Sequence, residues 1–359
     1  MPAGAGRMSF LLPPPVLQAV AGLEEEAVLL SLEEALRVGV LEEQSRPGVV
    51  HYRFTHAFFQ QTLYEEIIAP RRIRLHQQVA RAIEGVYGRR LDDHATELAE
   101  HFSHSSDPLD LAKAVRYGEV AAGRATAVYA YAEAVRHLER CVQVQEVLDP
   151  DDNLKRCDLL LALGTAMTSA GAPKDVADRI APAAYLLGEA LGETERAFRA
   201  ASLALDGLSR WGAANAWRLP EWKTWTERAL EHSRPGSIER LYADLAQVSS
   251  TEMTSADGLE FMRQAFSQAR HLGDREIEFD TGRQLMMWLN WPGVAEERVQ
   301  VAEALLSRPR DGVKGRTLAR VLWQASFALL GRGRRTESET VWREQESLAE
   351  SSQEASVTM

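Results

Sequence analysis

The chain has 359 residues, of which 45% are hydrophobic and 26% are charged. This composition is close to the average of soluble globular proteins and argues against a disordered or membrane-embedded chain. Because 52 acidic residues outnumber 41 basic ones, the formal charge is −11, which disfavours nonspecific attraction to nucleic acid or anionic lipid. The length suits two domains or a run of stacked repeats.

The cysteines and the N-terminal residues indicate the cellular compartment. Cys141 and Cys157 have no CxxC spacing and are too few for a disulfide framework. The apolar stretch after Phe10 is broken by Pro13–Pro15, so no signal-peptide core forms. No apolar run approaches the ~20 residues that a membrane-spanning helix needs. We therefore expect a cytoplasmic protein that is neither exported nor anchored.

The N-terminal region combines helical patterns with a hairpin pattern. An Ala, Leu and Glu-rich helix is predicted from Leu23 to Gly39. Val40–Leu41 and Val49–Phe54 have strand character and flank turn residues at 45–48, which predicts a small hairpin.

Two helices are predicted after the hairpin. Thr55 is expected to cap the first helix, which Pro70 ends, and the second ends near Gly88. Helices around a two-stranded hairpin suggest a winged helix, so residues 1–88 are predicted to form a small winged-helix-like α+β module. The expected buried stripe of the first helix comprises Phe58, Phe59, Leu63 and Ile67.

Beyond Gly88 helical segments alternate with short Gly, Pro, Asp or Asn breaks, which is typical of antiparallel helix pairs. We therefore predict a mainly α fold in which residues 89–359 form an α-α superhelix of tetratricopeptide-like repeats. Ala134, Leu138 and Cys141 have the small-large-small spacing of a tetratricopeptide helix, and Gly164, Gly192 and Gly273 each follow a leucine, as in such repeats. The breaks are predicted at 105–108, 149–153, 171–173, 192, 235–236, 273–274, 292–293, 309–312 and 331–333.

Five motifs occur in order along the first part of the chain: Tyr52–His56, Thr62–Glu65, Arg71–His76, His94–Phe102 and Tyr129–Ala134. They resemble the winged helix and the start of the tetratricopeptide-like superhelix in bacterial signal-transduction ATPases with numerous domains (STAND ATPases), which include LuxR-type and cyclase-linked regulators. The resemblance covers residues ~10–170 and continues afterwards only as helical character.

In that family an upstream P-loop domain binds ATP, the winged helix closes over the nucleotide, and the superhelix receives a ligand or partner. A P-loop requires a Gly-Lys pair, but no such pair occurs here and the first lysine is Lys113. No cofactor is therefore expected in this chain, and ATP or ADP would require a missing upstream ATPase domain. A truncated or split gene is favoured, and an adaptor that has lost the ATPase core is the alternative.

The resemblance implies a module that binds a protein, a peptide or a small signal ligand on its helical repeats. Its alternative is an ATP-dependent (transcriptional) regulator that works with a separately encoded P-loop or DNA-binding part. The GxSxG, HExxH and GxGxxG motifs are absent from the sequence. We therefore expect no enzymatic activity, no binding to membranes and no binding to nucleic acid through this chain.

Four residues are candidate contacts. The resemblance implies that His56 touches a nucleotide phosphate when a P-loop is supplied by another polypeptide, and a helix N-terminus suits an anion. A structural cap is the alternative for this histidine. Arg218, Trp222 and Trp225 are the predicted partner-binding patch, since aromatic and arginine anchors dominate interfaces. Core packing is the alternative for the tryptophans.

Three histidines and a glutamate are candidate metal ligands. His94, Glu97, His101 and His104 can share one face of a helix. Seven residues of helix separate His94 from His101 by ~10.5 Å, which is too far for one zinc ion. No metal site is expected.

Overall fold

The computed structural model describes residues 14–46, 49–249 and 256–351. Within these ranges the chain is mainly α-helical and contains one two-stranded sheet, which confirms the predicted fold class. The chain divides into two compact units. Unit 1 comprises Met1–Gly123 with Arg140–Pro150, and unit 2 comprises Arg124–Glu139 with Asp151–Met359. The predicted boundary near residue 88 falls within unit 1, and the winged-helix assignment of residues 1–88 stays a prediction.

Unit 1 begins with two helices and the hairpin, and further helices follow. Its last two helices contribute residues to both units. They are α1 (Pro14–Ala21), α2 (Glu25–Arg37), β1 (Leu41–Arg46), β2 (Val49–Phe54), α3 (Ala57–Glu66), α4 (Ala69–Tyr87), a 3-10 helix (Gly88–His94), α5 (Ala95–Phe102), α6 (Pro108–Ala127) and α7 (Tyr131–Leu148).

The predicted hairpin is confirmed. Strands β1 and β2 are antiparallel, with Leu41 opposite Phe54. Leu41 and Tyr52 pack with Val28 and Leu32 of α2 in a small core. Burial of apolar side chains therefore fixes the hairpin against α2.

Helix α3 differs from its predicted packing. None of its side chains is fully buried, and Phe58, Phe59 and Leu63 are 64%, 37% and 49% exposed. The expected buried stripe is therefore wrong for these residues, because no described element of unit 1 covers this face of the helix. An apolar surface of this kind often marks an interaction site.

Unit 2 is a succession of helices joined by short connections. They are α8 (Asn153–Ser169), α9 (Pro173–Asp175), a π-helical turn (Val176–Ile180), α10 (Ala181–Leu191), α11 (Thr194–Gly212), a 3-10 helix (Ala213–Arg218), α12 (Pro220–Glu231), α13 (Ile238–Val248), α14 (Ala256–Leu272), α15 (Arg275–Trp288), a 3-10 helix (Pro292–Val294), α16 (Ala295–Leu306), α17 (Gly315–Leu330) and α18 (Arg335–Ser351).

The predicted helix breaks coincide with the observed helix ends. From residue 105 onward, each predicted break lies at or between the termini of two successive helices. Gly192 and Gly273 follow the last residues of α10 and α14 with φ of +68° and +76°, a conformation that glycine adopts easily. Gly164 instead lies inside α8, so the three leucine-glycine pairs do not share one structural role.

Successive helices of unit 2 pack on each other, and α15 also packs on α17. Met262, Phe279 and Leu305 are fully buried in the core that α13–α18 share. Gly282 of α15 permits a close approach, since a Cβ there would lie 2.8 Å from atoms of both Phe266 and Leu305. None of the helices in the described part of the chain is long and apolar enough to span a membrane.

Both cysteines are buried as free thiols. Cys141 belongs to unit 1 and Cys157 to unit 2, and they are 2% and 0% exposed. Burial and the nearby charge of Asp158 raise the pKa of the Cys157 thiol. Both cysteines therefore act as small apolar core residues.

Candidate functional site

His56 is the N-terminal cap of α3. Its Nδ1 accepts a hydrogen bond from the Phe58 backbone N–H at 3.1 Å. Thr55, the predicted cap, instead donates its hydroxyl to the Gly39 carbonyl at 2.7 Å. The structure agrees with the capping alternative for His56, while nucleotide contact stays a prediction that requires another polypeptide.

The structure also agrees with the core-packing alternative for two tryptophans. Trp222 and Trp225 are 9% and 5% exposed. The Trp222 indole N–H donates to the Ala246 carbonyl at 2.9 Å, and Trp225 packs edge-on against Tyr185. These contacts correct the expected surface position of the pair. Arg218 is exposed, with its guanidinium over the ring of Trp217.

Three histidines meet in unit 1, but not in the arrangement that helical spacing suggested. His76 Nδ1 lies 2.8 Å from His101 Nδ1, and the His76 ring stacks on His104. His94 stacks on Tyr87 instead. Across the described ranges, no three His, Cys, Asp or Glu residues are placed to hold a metal ion.

The surroundings of the histidine cluster favour the neutral form of His76 and His101. Burial and the charges of His104 and His101 lower the pKa of His76 to about 4. Burial, together with His104, lowers the pKa of His101 to about 4. Glu100 accepts a hydrogen bond from His104 at 3.2 Å and lies beside Arg140, and these contacts lower its pKa to about 2.

A second polar cluster lies in unit 2 and contains side chains of α11, α15 and α17. Arg316 Nη1 donates to Asp206 Oδ1 at 3.0 Å, although 110 residues separate them in sequence. Asp206 also pairs with Arg210 at 3.1 Å, one helical turn further along α11. The side chains of α11 and α17 therefore converge in space.

Helix α15 supplies the other half of this cluster. Asp280 accepts hydrogen bonds from Arg283 at 2.7 Å and from Gln284 at 2.9 Å. Burial would raise the pKa of Asp280, but the charge and hydrogen bond of Arg283, the Gln284 amide and the charge of Arg320 hold it below its ordinary value. We call the set Arg210, Arg283, Arg316 and Arg320 with Asp206 and Asp280 the arginine cluster.

Arg320 of α17 is the unusual member of the arginine cluster. It makes no hydrogen bond or ion pair with any residue that the structure describes. Burial and the charges of Arg283 and Arg316 lower its pKa to about 10, against the opposing effect of the two aspartates. Arg320 therefore stays charged at neutral pH beside other cations. The residue as a whole is nonetheless exposed, so the burial of its guanidinium is only partial.

Tyr242 of α13 lies within electrostatic range of the same site. Burial and the charges of Asp280, Glu276 and Asp274 raise its pKa, so its phenol stays neutral. Among the described residues, nothing forms a hydrogen bond with its hydroxyl. The Tyr242 phenol and the Arg320 guanidinium therefore both lie within electrostatic range of Asp280, and Tyr242 also lies within range of Glu276 and Asp274.

Sequence reasoning missed the arginine cluster. The sequence contains one signal for it, two Asp–Arg pairs with the spacing of neighbours on one helix face. These pairs are Asp206 with Arg210 and Asp280 with Arg283. Such pairs are usually solvated surface charges. Their meeting depends on how α11, α15 and α17 pack, which helical periodicity does not specify.

No protein-family model and no curated protein matches this chain. Among solved structures, the chain is similar to the signal-transduction ATPase with numerous domains (STAND) protein with a tetratricopeptide repeat sensor from Pyrococcus horikoshii. The match has a TM-score of 0.40 and 11% sequence identity, and it covers 96% of this chain. The chain spans 55% of the length of that protein.

Proposed function

We propose that this chain is an interaction module that binds a protein, a peptide or a small signal ligand on the alternate helices of unit 2. The arginine cluster is the observation that carries this proposal. Charged side chains from α11, α15 and α17 meet there, although apolar residues of similar size would pack between helices without a desolvation cost. A binding role accounts for charges that folding alone does not require.

We propose further that the module has no catalytic step of its own. Asp280 is held ionised, Arg320 stays protonated and Tyr242 stays neutral near pH 7. General acid–base catalysis favours groups whose pKa lies near the working pH. These groups suit recognition of charge better than transfer of protons.

A blocking variant tests the binding proposal. Arg320→Trp places a large ring in the arginine cluster whatever the chemistry of the ligand, and Arg343→Trp, on the exposed part of α18, is the matched control. Thermal unfolding is followed with a set of small metabolites and short peptides of mixed charge. We expect at least one compound to raise the Tm of wild type and control by ~2 °C or more, but not that of Arg320→Trp.

Two outcomes would overturn the binding proposal. One is that every compound that raises the Tm of wild type raises the Tm of Arg320→Trp equally, or that no compound raises the Tm of wild type. The other is turnover of a compound by the pure chain, which would replace a binding module by an enzyme.

A second candidate function rests on α3. Its apolar side chains are exposed, and Ile68 beyond its end is 70% exposed. This surface supports docking of another polypeptide on unit 1, as expected of a regulator that works with a separately encoded P-loop part. In such a complex the ATP or ADP would belong to the partner, and His56 at the N-terminus of α3 would be its contact from this chain.

The candidate requires a neighbouring reading frame that contains a GxxxxGK[ST] motif, and co-purification with the product of such a frame tests it. Leu63→Ser on α3 should weaken the complex ~10-fold or more, since an apolar contact is replaced by a hydroxyl. Leu154→Ser, on an exposed leucine of α8, is the control and should leave the affinity unchanged. Equal affinity of the two variants would remove α3 from the interface.

A further inference from the structure

Unit 2 contains a pocket between α14 and the segment that follows α16. Its volume is about 290 Å³, and the lining residues that the structure describes are Ser267, Arg270 and His271 of α14 and Arg308, two residues after α16. None of them belongs to the arginine cluster. The pocket is at the small end of the range that holds small molecules, and each of its four side chains carries a hydrogen-bond donor.

One buried carboxylate holds the two arginines of this pocket. Glu278 of α15 is only 7% exposed, and its Oε1 accepts a hydrogen bond from Arg308 Nε at 3.1 Å. Arg270 Nε lies 3.8 Å from the same oxygen, and the Arg270 guanidinium lies 6.0 Å from the centre of the Phe266 ring. A carboxylate buried this deeply is costly unless it is paired. Glu278 therefore keeps both guanidinium groups at the same place.

Several donors of the pocket have no partner in the part of the chain that the structure describes. Arg308 uses only its Nε for the bond to Glu278, and the Arg270 guanidinium forms no hydrogen bond. The Ser267 hydroxyl forms none either. His271 Nδ1 lies 2.7 Å from the Ser267 carbonyl oxygen, so this nitrogen carries a proton and the bond fixes the ring. The Nη groups of both arginines and the hydroxyl are therefore available to a ligand.

The charges at the pocket do not balance. Two guanidinium groups share the carboxylate of Glu278, and no other carboxylate among the described residues lies within ion-pair distance of either. The other charged side chains of the flanking segments have partners of their own, which are the Ile277 N–H for Asp274, Thr317 for Glu276, Arg275 for Asp311 and Glu344 for Arg310. The pocket is therefore cationic, and an anion would balance its charge.

We propose that this pocket binds the phosphate group of a small ligand, with Arg270, Arg308 and Ser267 as its contacts. The donors come from two separate segments, α14 and the segment after α16. A tetrahedral phosphate accepts hydrogen bonds on three oxygens and can use both segments, whereas a single guanidinium fork satisfies the two oxygens of a carboxylate. Because Glu278 already holds both arginines, binding costs less side-chain entropy.

Isothermal titration of the full chain tests the assignment, with potassium phosphate and glycerol 3-phosphate as probes at constant ionic strength. Arg308→Gln removes one guanidinium. Arg332→Gln is the matched control, because the Arg332 side chain is 50% exposed against 42% for Arg308 and pairs with Glu296 at 2.9 Å, at the other end of α16. We expect Arg308→Gln to weaken binding ~10-fold or more and Arg332→Gln to change it by less than about two-fold.

Arg270→Gln provides a second measurement if Arg308→Gln fails to fold by circular dichroism. Arg270 forms no hydrogen bond to Glu278, so its replacement disturbs the folded chain less. It should also weaken phosphate binding ~10-fold or more, since the second guanidinium is lost. Glycerol and potassium acetate are the ligand controls, and neither should compete with phosphate.

Three results would overturn the assignment. The first is no binding of either phosphate probe at ~10 mM, or equal affinity of wild type and the Arg270 and Arg308 variants. The second is acetate binding as tightly as phosphate, which would indicate a carboxylate site. The third is loss of phosphate binding in Arg320→Trp alone, which would place the anion in the arginine cluster. We expect Arg320→Trp to bind phosphate as wild type does, so the phosphate pocket and the proposed binding function are tested separately.

Discussion

Arg316 of α17 is hydrogen-bonded to Asp206 of α11 across 3.0 Å, although the two positions are 110 apart in sequence. Contacts in helical repeats are mostly between neighbouring units. This bond brings a side chain of α17 to a side chain of α11, two helices far apart in sequence. It joins the α11 part of the arginine cluster to the α17 part.

Removal of Asp206 should destabilise unit 2. Asp206→Ala leaves Arg210 and Arg316 without their shared carboxylate, and we expect a loss of about 1–3 kcal/mol in the free energy of unfolding. Urea denaturation measures this loss. Glu339→Ala removes the partner of the exposed Arg335 and should change stability by less than about 0.5 kcal/mol. Equal effects of the two variants would contradict the structural importance of the Asp206 pairs.

Removal of Arg320 should instead raise the free energy of unfolding of the ligand-free chain. Arg320→Gln removes a partly desolvated charge and its repulsion with Arg283 and Arg316, which together outweigh its attraction to Asp280 and Asp206. Solvent screening limits the expected gain to about 1 kcal/mol or less. Thermal unfolding at low and high salt measures it, and the gain should shrink as salt rises. A destabilised Arg320→Gln variant would show that the guanidinium has a stabilising contact in solution.

Unit 1 should lose stability in mild acid. The folded pKa values of His76 and His101, about 4, lie below the ordinary value of 6.5, so the unfolded chain binds more protons between these values. Stability is therefore full above pH ~6.5 and falls as the pH approaches 4, by about 1–3 kcal/mol for the pair after screening. Urea midpoints at several pH values measure the loss.

His76→Gln should flatten this pH dependence, because it removes one of the depressed histidines. His271→Gln, on an exposed residue of α14, is the control and should keep the wild-type profile. Identical profiles for both variants would mean that the histidine cluster does not control the acid sensitivity.

Glycine-to-alanine substitutions should distinguish close helix packing from open helix surface. Gly282→Ala places a methyl group 2.8 Å from side-chain atoms of Phe266 and Leu305, and overpacking of this kind costs about 1–3 kcal/mol. Gly85→Ala in α4 meets nothing within 4 Å and should stabilise the chain by about 0.5–1 kcal/mol, since alanine favours helix. Differential scanning calorimetry of both variants measures the two signs, and a stabilised Gly282→Ala would contradict the packing of α15.

Local chemistry accounts for what could be predicted from the sequence. Gly192 and Gly273 end helices because glycine adopts positive φ without strain, and the hairpin follows from its strand residues. The break between α6 and α7 carries no such signal. It contains Tyr129, whose φ of 61° is uncommon for a residue with a side chain and depends on its surroundings.

Tertiary contacts account for what could not be predicted. Phe58 and Leu63 have the spacing of a buried stripe, yet periodicity does not show whether a partner element is present. Trp222 and Trp225 could pack inward or outward, and only their contacts with Ala246 and Tyr185 decide. The arginine cluster combines residues more than 100 positions apart, which no local pattern specifies.

The two buried thiols make the stability of each unit separately measurable. Cys141 reports unit 1 and Cys157 reports unit 2, and neither is accessible to a reagent in the folded chain. A thiol-specific label detected by peptide mass spectrometry would therefore record how often each unit opens, in one sample and without added probes. A ligand held by unit 2 should slow the labelling of Cys157 and leave the rate at Cys141 unchanged, which turns the native cysteines into an internal assay of where a ligand binds.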